Sequence, residues 1–145
     1  MAGGFIAGVQ SPGVSYNMNT AVTYAGTLLS KNAVANEMDL TGAGARPDGY
    51  AVKSSENLAG TAVADVQVGV LPLITGNVAE IPLLATNAVI AVGDLLETTA
   101  LGTVDLKAGA GWVVGTALEA AAQNDGATAA TAHIKVLLNV YYASA

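Results

Sequence analysis

The constraint that narrows this chain most is an internal echo. Val89–Leu118 reads VIAVGDLLETTALGTVDLKAGAGWVVGTAL, and its landmarks occur earlier in the same order. Gly26-Thr27-Leu28-Leu29 returns as Gly93-Asp94-Leu95-Leu96, 67 positions later. Asp39-Leu40 returns as Asp105-Leu106 after 66, and Gly42-Ala43-Gly44 as Gly109-Ala110-Gly111 after 67. Gly49-Tyr50-Ala51-Val52 returns as Gly115-Thr116-Ala117-Leu118 after 66. Val66, Val68 and Val70 match Ile134, Val136 and Leu138 with an offset of 68. Five ordered matches whose offset drifts by two residues describe a duplicated unit with small loop insertions. The period is too long for a solenoid repeat. Two copies fit as two halves of one small domain.

Each copy is built of short β-forming runs cut by Gly and polar residues, the signature of strands joined by tight turns. Apolar positions recurring every three or four residues are missing. Thr61–Leu71 alternates, with Val66, Val68 and Val70 on one face, and Ile134, Val136, Leu138 and Val140 alternate along Thr131–Tyr142. Leu118–Gln123 (LEAAAQ) is the best helix candidate, rich in Ala and Glu and ended by Asn124-Asp125-Gly126. The expected fold is mainly β: a compact barrel-like or sandwich domain from two related β units, with one short helix. Residues 1–20 read as an extended arm and 21–145 as a single β domain. The copies fall at about 21–72 and 88–140, and the insert 73–87 lies outside the duplication.

The arm, Ala2–Asn19, holds Gly3, Gly4, Gly8 and Gly13, and each glycine costs backbone entropy to order. Yet Phe5, Ile6 and Tyr16 are apolar handles, poor choices for a solvated tail. They are the candidate partner-binding residues, on an arm expected to order when something holds it.

Composition bears on the surface. Charged residues make up 11% of the chain, less than half the share in ordinary soluble domains, while 52% is apolar. So few charges cover a monomer poorly, which points to a surface shared with other chains. The five basic residues, Lys31, Arg46, Lys53, Lys107 and Lys135, form no cluster, and the net charge is −6. A nucleic-acid partner is therefore not expected. No apolar run approaches the roughly 18 residues of a membrane helix, and Met1–Val9 lacks the charged start of a signal peptide. A soluble protein made in a cytoplasm is expected.

The residues of catalysis are sparse. There is no Cys, and His133 is the single histidine, so thiolate and multi-histidine metal sites are out of reach. No Ser stands in a Gly-x-Ser-x-Gly context. The two Gly-Ala-Gly stretches look like dinucleotide loops but do not complete Gly-x-Gly-x-x-Gly, having Pro47 and Val114 where the third Gly belongs. Carboxylates are spread singly, with no calcium-loop spacing; Asp94 suits a turn cap. No catalytic residue, cofactor or metal is expected. Trp112, the sole Trp, is read as core, and of Tyr141 and Tyr142 one as core and one as contact.

The second half resembles the cement, or decoration, proteins of tailed-phage capsids. The resemblance rests on Ile90-Ala91-Val92-Gly93-Asp94-Leu95-Leu96, Gly102-Thr103-Val104, Gly115-Thr116-Ala117-Leu118-Glu119-Ala120-Ala121 and Ile134-Lys135-Val136-Leu137-Leu138, and spans about Ala88–Val140. It does not extend to Met1–Asn19 or Leu73–Leu84. It implies a small all-β virion protein, made in the host cytoplasm, that binds the outside of an assembled bacteriophage head. Its partner would be the major capsid protein where capsomers meet, often as a homotrimer, stapling coat subunits against the pressure of packed DNA. It implies no catalytic residues. The reading from a different class is a carbohydrate- or cell-surface-binding module of a virion, which an exposed aromatic cluster beside Asn or Asp would favour.

Overall fold

The computed structural model describes residues 3–9, 13–128 and 133–144. Eleven strands run through them: β1 (Gly4–Ala7), β2 (Val14–Met18), β3 (Leu28–Lys31), β4 (Glu37–Leu40), β5 (Gly49–Ala51), β6 (Gln67–Pro72), β7 (Val78–Pro82), β8 (Leu95–Thr98), β9 (Val104–Leu106), β10 (Gly111–Ala117) and β11 (His133–Ala143). The protein is mainly β. Alternation of apolar and polar residues sets the faces. In β11, Ile134, Val136 and Leu138 are buried while Lys135, Leu137 and Asn139 point outward.

The duplication is structural, and it reaches further than the sequence echo. Strands β2-β4-β3-β5-β6 close into a barrel, and β1-β7-β11-β10-β8-β9 form a curled sheet. Without β1, the sheet order in the second half repeats that of the first, strand for strand. The registers repeat too. Leu29 faces Leu40 as Leu96 faces Leu106, and Leu28 faces Tyr50 as Leu95 faces Thr116. Tyr50 faces Leu71 as Thr116 faces Leu137. Asn17 faces Gln67 as Pro82 faces His133. The first barrel is closed by a parallel contact, Met18 with Met38, and the second half has a single parallel bridge at the equivalent place, Leu83 with Val104. Closure covers edges that would otherwise template aggregation.

Four expectations change. Val68 corresponds to Ile134 and Val70 to Val136, an offset of 66 and not 68. A slip of two keeps every side chain on its face, so alternation alone could not detect it. Next, Leu73–Leu84 is no insert outside the duplication, because its strand β7 holds the place of β2. The described residues of 1–20 likewise form no separate arm: β2 is a barrel strand, and β1 pairs with β7 through Gly4–Glu80 and Phe5–Ala79. What holds these residues is the chain itself. Finally, Leu118–Gln123 is not helical. Ala121 exchanges two backbone hydrogen bonds with Ile90, at 2.9 and 3.0 Å. Six residues bring too few helical bonds to offset nucleation, so the β-bridge wins. The described helical pieces are 3-10 turns at Ala100–Gly102 and Asp125–Ala127.

Two glycine pairs explain why the echo is readable. Gly26 and Gly93 both have positive φ, +86° and +94°, and both donate a backbone N–H across to Ala51 or Ala117, at 2.7 and 2.8 Å. Gly49 and Gly115 lie under equivalent atoms: a Cβ there would run into the carbonyl of Leu71 or Leu137 and a methyl of Val70 or Val136.

The core has two parts. Met18, Val22, Leu29, Met38, Ala51, Val68 and Val70 fill the first barrel. The larger cluster fills the second half with Ile81, Ile90, Leu96, Val104, Ile134, Val136 and Leu138, and it also takes Leu28, Tyr50 and Leu71 from the first. Those three are the outward-facing neighbours of Leu29, Ala51 and Val70. The outer face of the first barrel is therefore buried against the second half, and the larger cluster spans both halves.

Candidate functional site

The sequence's candidate site residues are not brought together. Phe5 lies on β1 and packs against the larger core, while Tyr16 lies on β2 and packs against the first barrel's core. Ile6, beside Phe5, is 42% exposed.

Several of the polar groups that the sequence singles out are engaged in local structure. His133 holds the seam between the halves: its Nε2 lies 3.1 Å from the Ala25 carbonyl oxygen, and its ring meets Tyr24 edge-on at 5.6 Å. Asp94 caps its turn by accepting the Ala91 N–H at 2.8 Å, as its position suggested. Asp105 accepts the N–H groups of Ala88 and Leu106, and Glu119 accepts that of Lys135. Gly42–Gly44 and Gly109–Gly111 each lead from the third to the fourth strand of their halves. A strand follows each loop, so neither is the helix start that holds a pyrophosphate. Among the described residues no three His, Cys, Asp or Glu side chains gather where they could share a metal ion. Burial pushes the Tyr50 phenol above its ordinary pKa, because the core opposes formation of the phenolate. Glu80 is buried with Oε2 lacking a hydrogen-bond partner among the described residues.

Two concave regions lie along the seam. One, of about 410 Å³, is apolar, lined by Tyr24, Leu40, Pro82, Leu84 and Leu101 among others. The other, of about 290 Å³, is bounded by Arg46, Asp48, Leu73, Trp112 and Val140. There the Arg46 guanidinium stands 5.5 Å from the Trp112 ring centroid, and Tyr142 meets Trp112 edge-on at 5.6 Å. Such an arrangement combines cation–π attraction with edge-to-face stacking, and Arg, Trp and Tyr are the residues that dominate binding hot spots. Trp112 is half-buried, and Tyr141 and Tyr142 are 38% and 57% exposed, so neither tyrosine is core. The sequence reading missed this cluster. Arg46 comes from the loop after β4, and only the β10–β11 register places Trp112 opposite Tyr142.

Large apolar side chains also stand exposed around the molecule, among them Val9, Val14, Val34, Leu95, Leu101 and Leu137. No family model matches the chain, and no curated protein is detectably similar to it in sequence.

Proposed function

We propose that this chain is a structural virion protein that decorates and stabilises an assembled phage capsid. It would bind the outer surface at capsomer junctions, with the major capsid protein as partner and a homotrimer as its working form. The observation that carries this reading is the pairing of a charge-poor composition with many exposed apolar side chains. Such a surface is suited to burial against other proteins. The sequence resemblance over Ala88–Val140 supplies the kind of partner, and the mainly β fold agrees with it. On this reading the protein works by contact area and not by catalysis. Copies repeated around a shell would turn a modest single-site affinity into firm attachment through avidity.

The test is addition of the full chain to heads that lack it, followed by heat-release of packaged DNA. Bound protein and a higher release temperature are expected; no binding would overturn the reading. Truncation through Asn19 would remove β2 and open the first barrel, so the arm is better probed by Ile6→Lys. That change places a charge on the exposed handle and is expected to weaken head binding about 10-fold or more, in line with the loss of a buried apolar contact.

The cluster of Arg46, Asp48, Trp112 and Tyr142 favours a second reading, a carbohydrate- or cell-surface-binding module of a virion. Aromatic faces beside a carboxylate suit a sugar ring. Glycan-array binding that disappears in Trp112→Ala, with head binding absent, would replace the first reading with this one.

A further inference from the structure

The two halves share fold and register but not surroundings, and the mismatch locates a docking surface. In the first half, the outward row Leu28–Tyr50–Leu71 is buried under the second half. The equivalent row, Leu95–Thr116–Leu137, has no such cover: Leu95 and Leu137 are each 39% exposed. Beside this row lies an open hollow of about 790 Å³ whose lining includes Leu95, Leu106, Lys107 and Tyr141. Its counterpart beside Leu28 and Thr41 is occupied. There the Ala100–Gly102 turn sits against the Leu28 backbone, and Gly102 donates its N–H to the Thr41 carbonyl at 2.8 Å.

The occupying turn has its own counterpart. Ala100–Gly102 joins the second and third strands of the second half, and the loop ending at Asn36 joins those of the first. Gly102 and Asn36 both have positive φ, +72° and +60°. That first-half loop accepts the Asn17 N–H through its Asn36 carbonyl at 2.8 Å, but its Val34 side chain stands exposed. One chain thus carries both unmatched partners of a contact it already makes once.

We infer that a second copy docks here head to tail, placing its Asn32–Asn36 loop in the hollow beside Leu95 and Leu137. The contact continues the internal seam from one chain to the next. Asn36 carries a side chain where Gly102 has none, so the backbones approach less closely than inside the chain. The contact is heterologous, joining two different surfaces, and closes into a ring if the rotation allows. The inference concerns the free protein and stands whether or not capsid binding is observed.

The test is sedimentation of the full chain over a concentration series, with variants and engineered cysteines. The native chain is expected to self-associate. Leu95→Lys with Leu137→Lys should raise the dissociation constant at least 10-fold with an unchanged thermal melt. The milder Leu137→Ala should weaken association in the same direction if the charged variant does not fold. The chain has no native cysteine. Mixing a Val34→Cys copy with a Leu137→Cys copy should therefore give the mixed disulfide as the main cross-linked product. A native chain that stays monomeric, association unchanged in these variants, or predominant Leu137→Cys self-linking, which signals a two-fold row-on-row contact, would each overturn the inference.

Discussion

The first and second halves are built to one plan, yet equivalent residues in them carry different loads. Gly26 and Gly93 make the same turn with the same backbone bond. A Cβ on Gly93 would meet open space, whereas one on Gly26 would collide with the Glu80 carbonyl and the Gly4 backbone nitrogen. Leu28 is fully buried in the shared core, and its equivalent Leu95 is partly exposed. Fold and load are thus separable. Strand order and register follow from turns and pleats repeated in both copies. The energetic weight of a residue follows from which half lies on top of it.

That separation can be broken or sharpened by paired substitutions. The largest difference is expected between Gly26→Ala and Gly93→Ala. Both force an L-residue into left-handed backbone, at about 1–2 kcal/mol. Gly26→Ala adds a collision with backbone that cannot turn aside, for a total of about 3 kcal/mol or more. Chemical denaturation of the two variants reads the gap, and equal losses would mean that the seam is looser than described.

Leu28→Ala and Leu95→Ala come next. Emptying a sealed core position costs about 2–5 kcal/mol. The exposed equivalent should cost under about 1 kcal/mol in folding, any further effect being on association. A large folding penalty for Leu95→Ala would place it in a core.

The smallest effect belongs to Tyr50, whose equivalent Thr116 cannot ionise in this range. The Tyr50 phenol has a folded pKa above its unfolded value of 10.0. The folded state therefore holds its proton longer, and Tyr50 contributes stability that is present below pH 10.0 and lost as pH rises through the folded pKa. Tyr50→Phe should flatten the alkaline fall in melting temperature, and an identical alkaline profile in the variant would remove this role.

Much of the fold was legible because its turns carry residue-specific demands. Gly26, Gly93, Gly49 and Gly115 cannot be exchanged without strain or collision, so they survive in both copies and betray the repeat. The equivalence of β2 and β7 left no such trace. Val14-Ser15-Tyr16-Asn17-Met18 and Ala79-Glu80-Ile81-Pro82-Leu83 share a pleat and a register but hardly a residue. The helix expected at Leu118–Gln123 shows local propensity overruled by a bridge to Ile90. Of the partner-binding candidates, Phe5 and Tyr16 are partly buried against the chain's own core, and Ile6 is exposed. The Arg46–Trp112–Tyr142 cluster was out of reach, because its members meet only through strand register and loop placement.

The pairing of β1 with β7 has a consequence for the order in which the molecule is made. Val9 and Asn77 lock this clasp with two hydrogen bonds, from the Val9 N–H at 2.8 Å and to the Val9 carbonyl at 2.7 Å. The two strands lie about seventy residues apart, so β1 leaves the ribosome long before its partner strand exists. The first barrel, Val14–Pro72, has all of its strands by then and can close without it. The segment translated ahead of that barrel is thus among the last to find its place, a latch drawn across once the second half has formed.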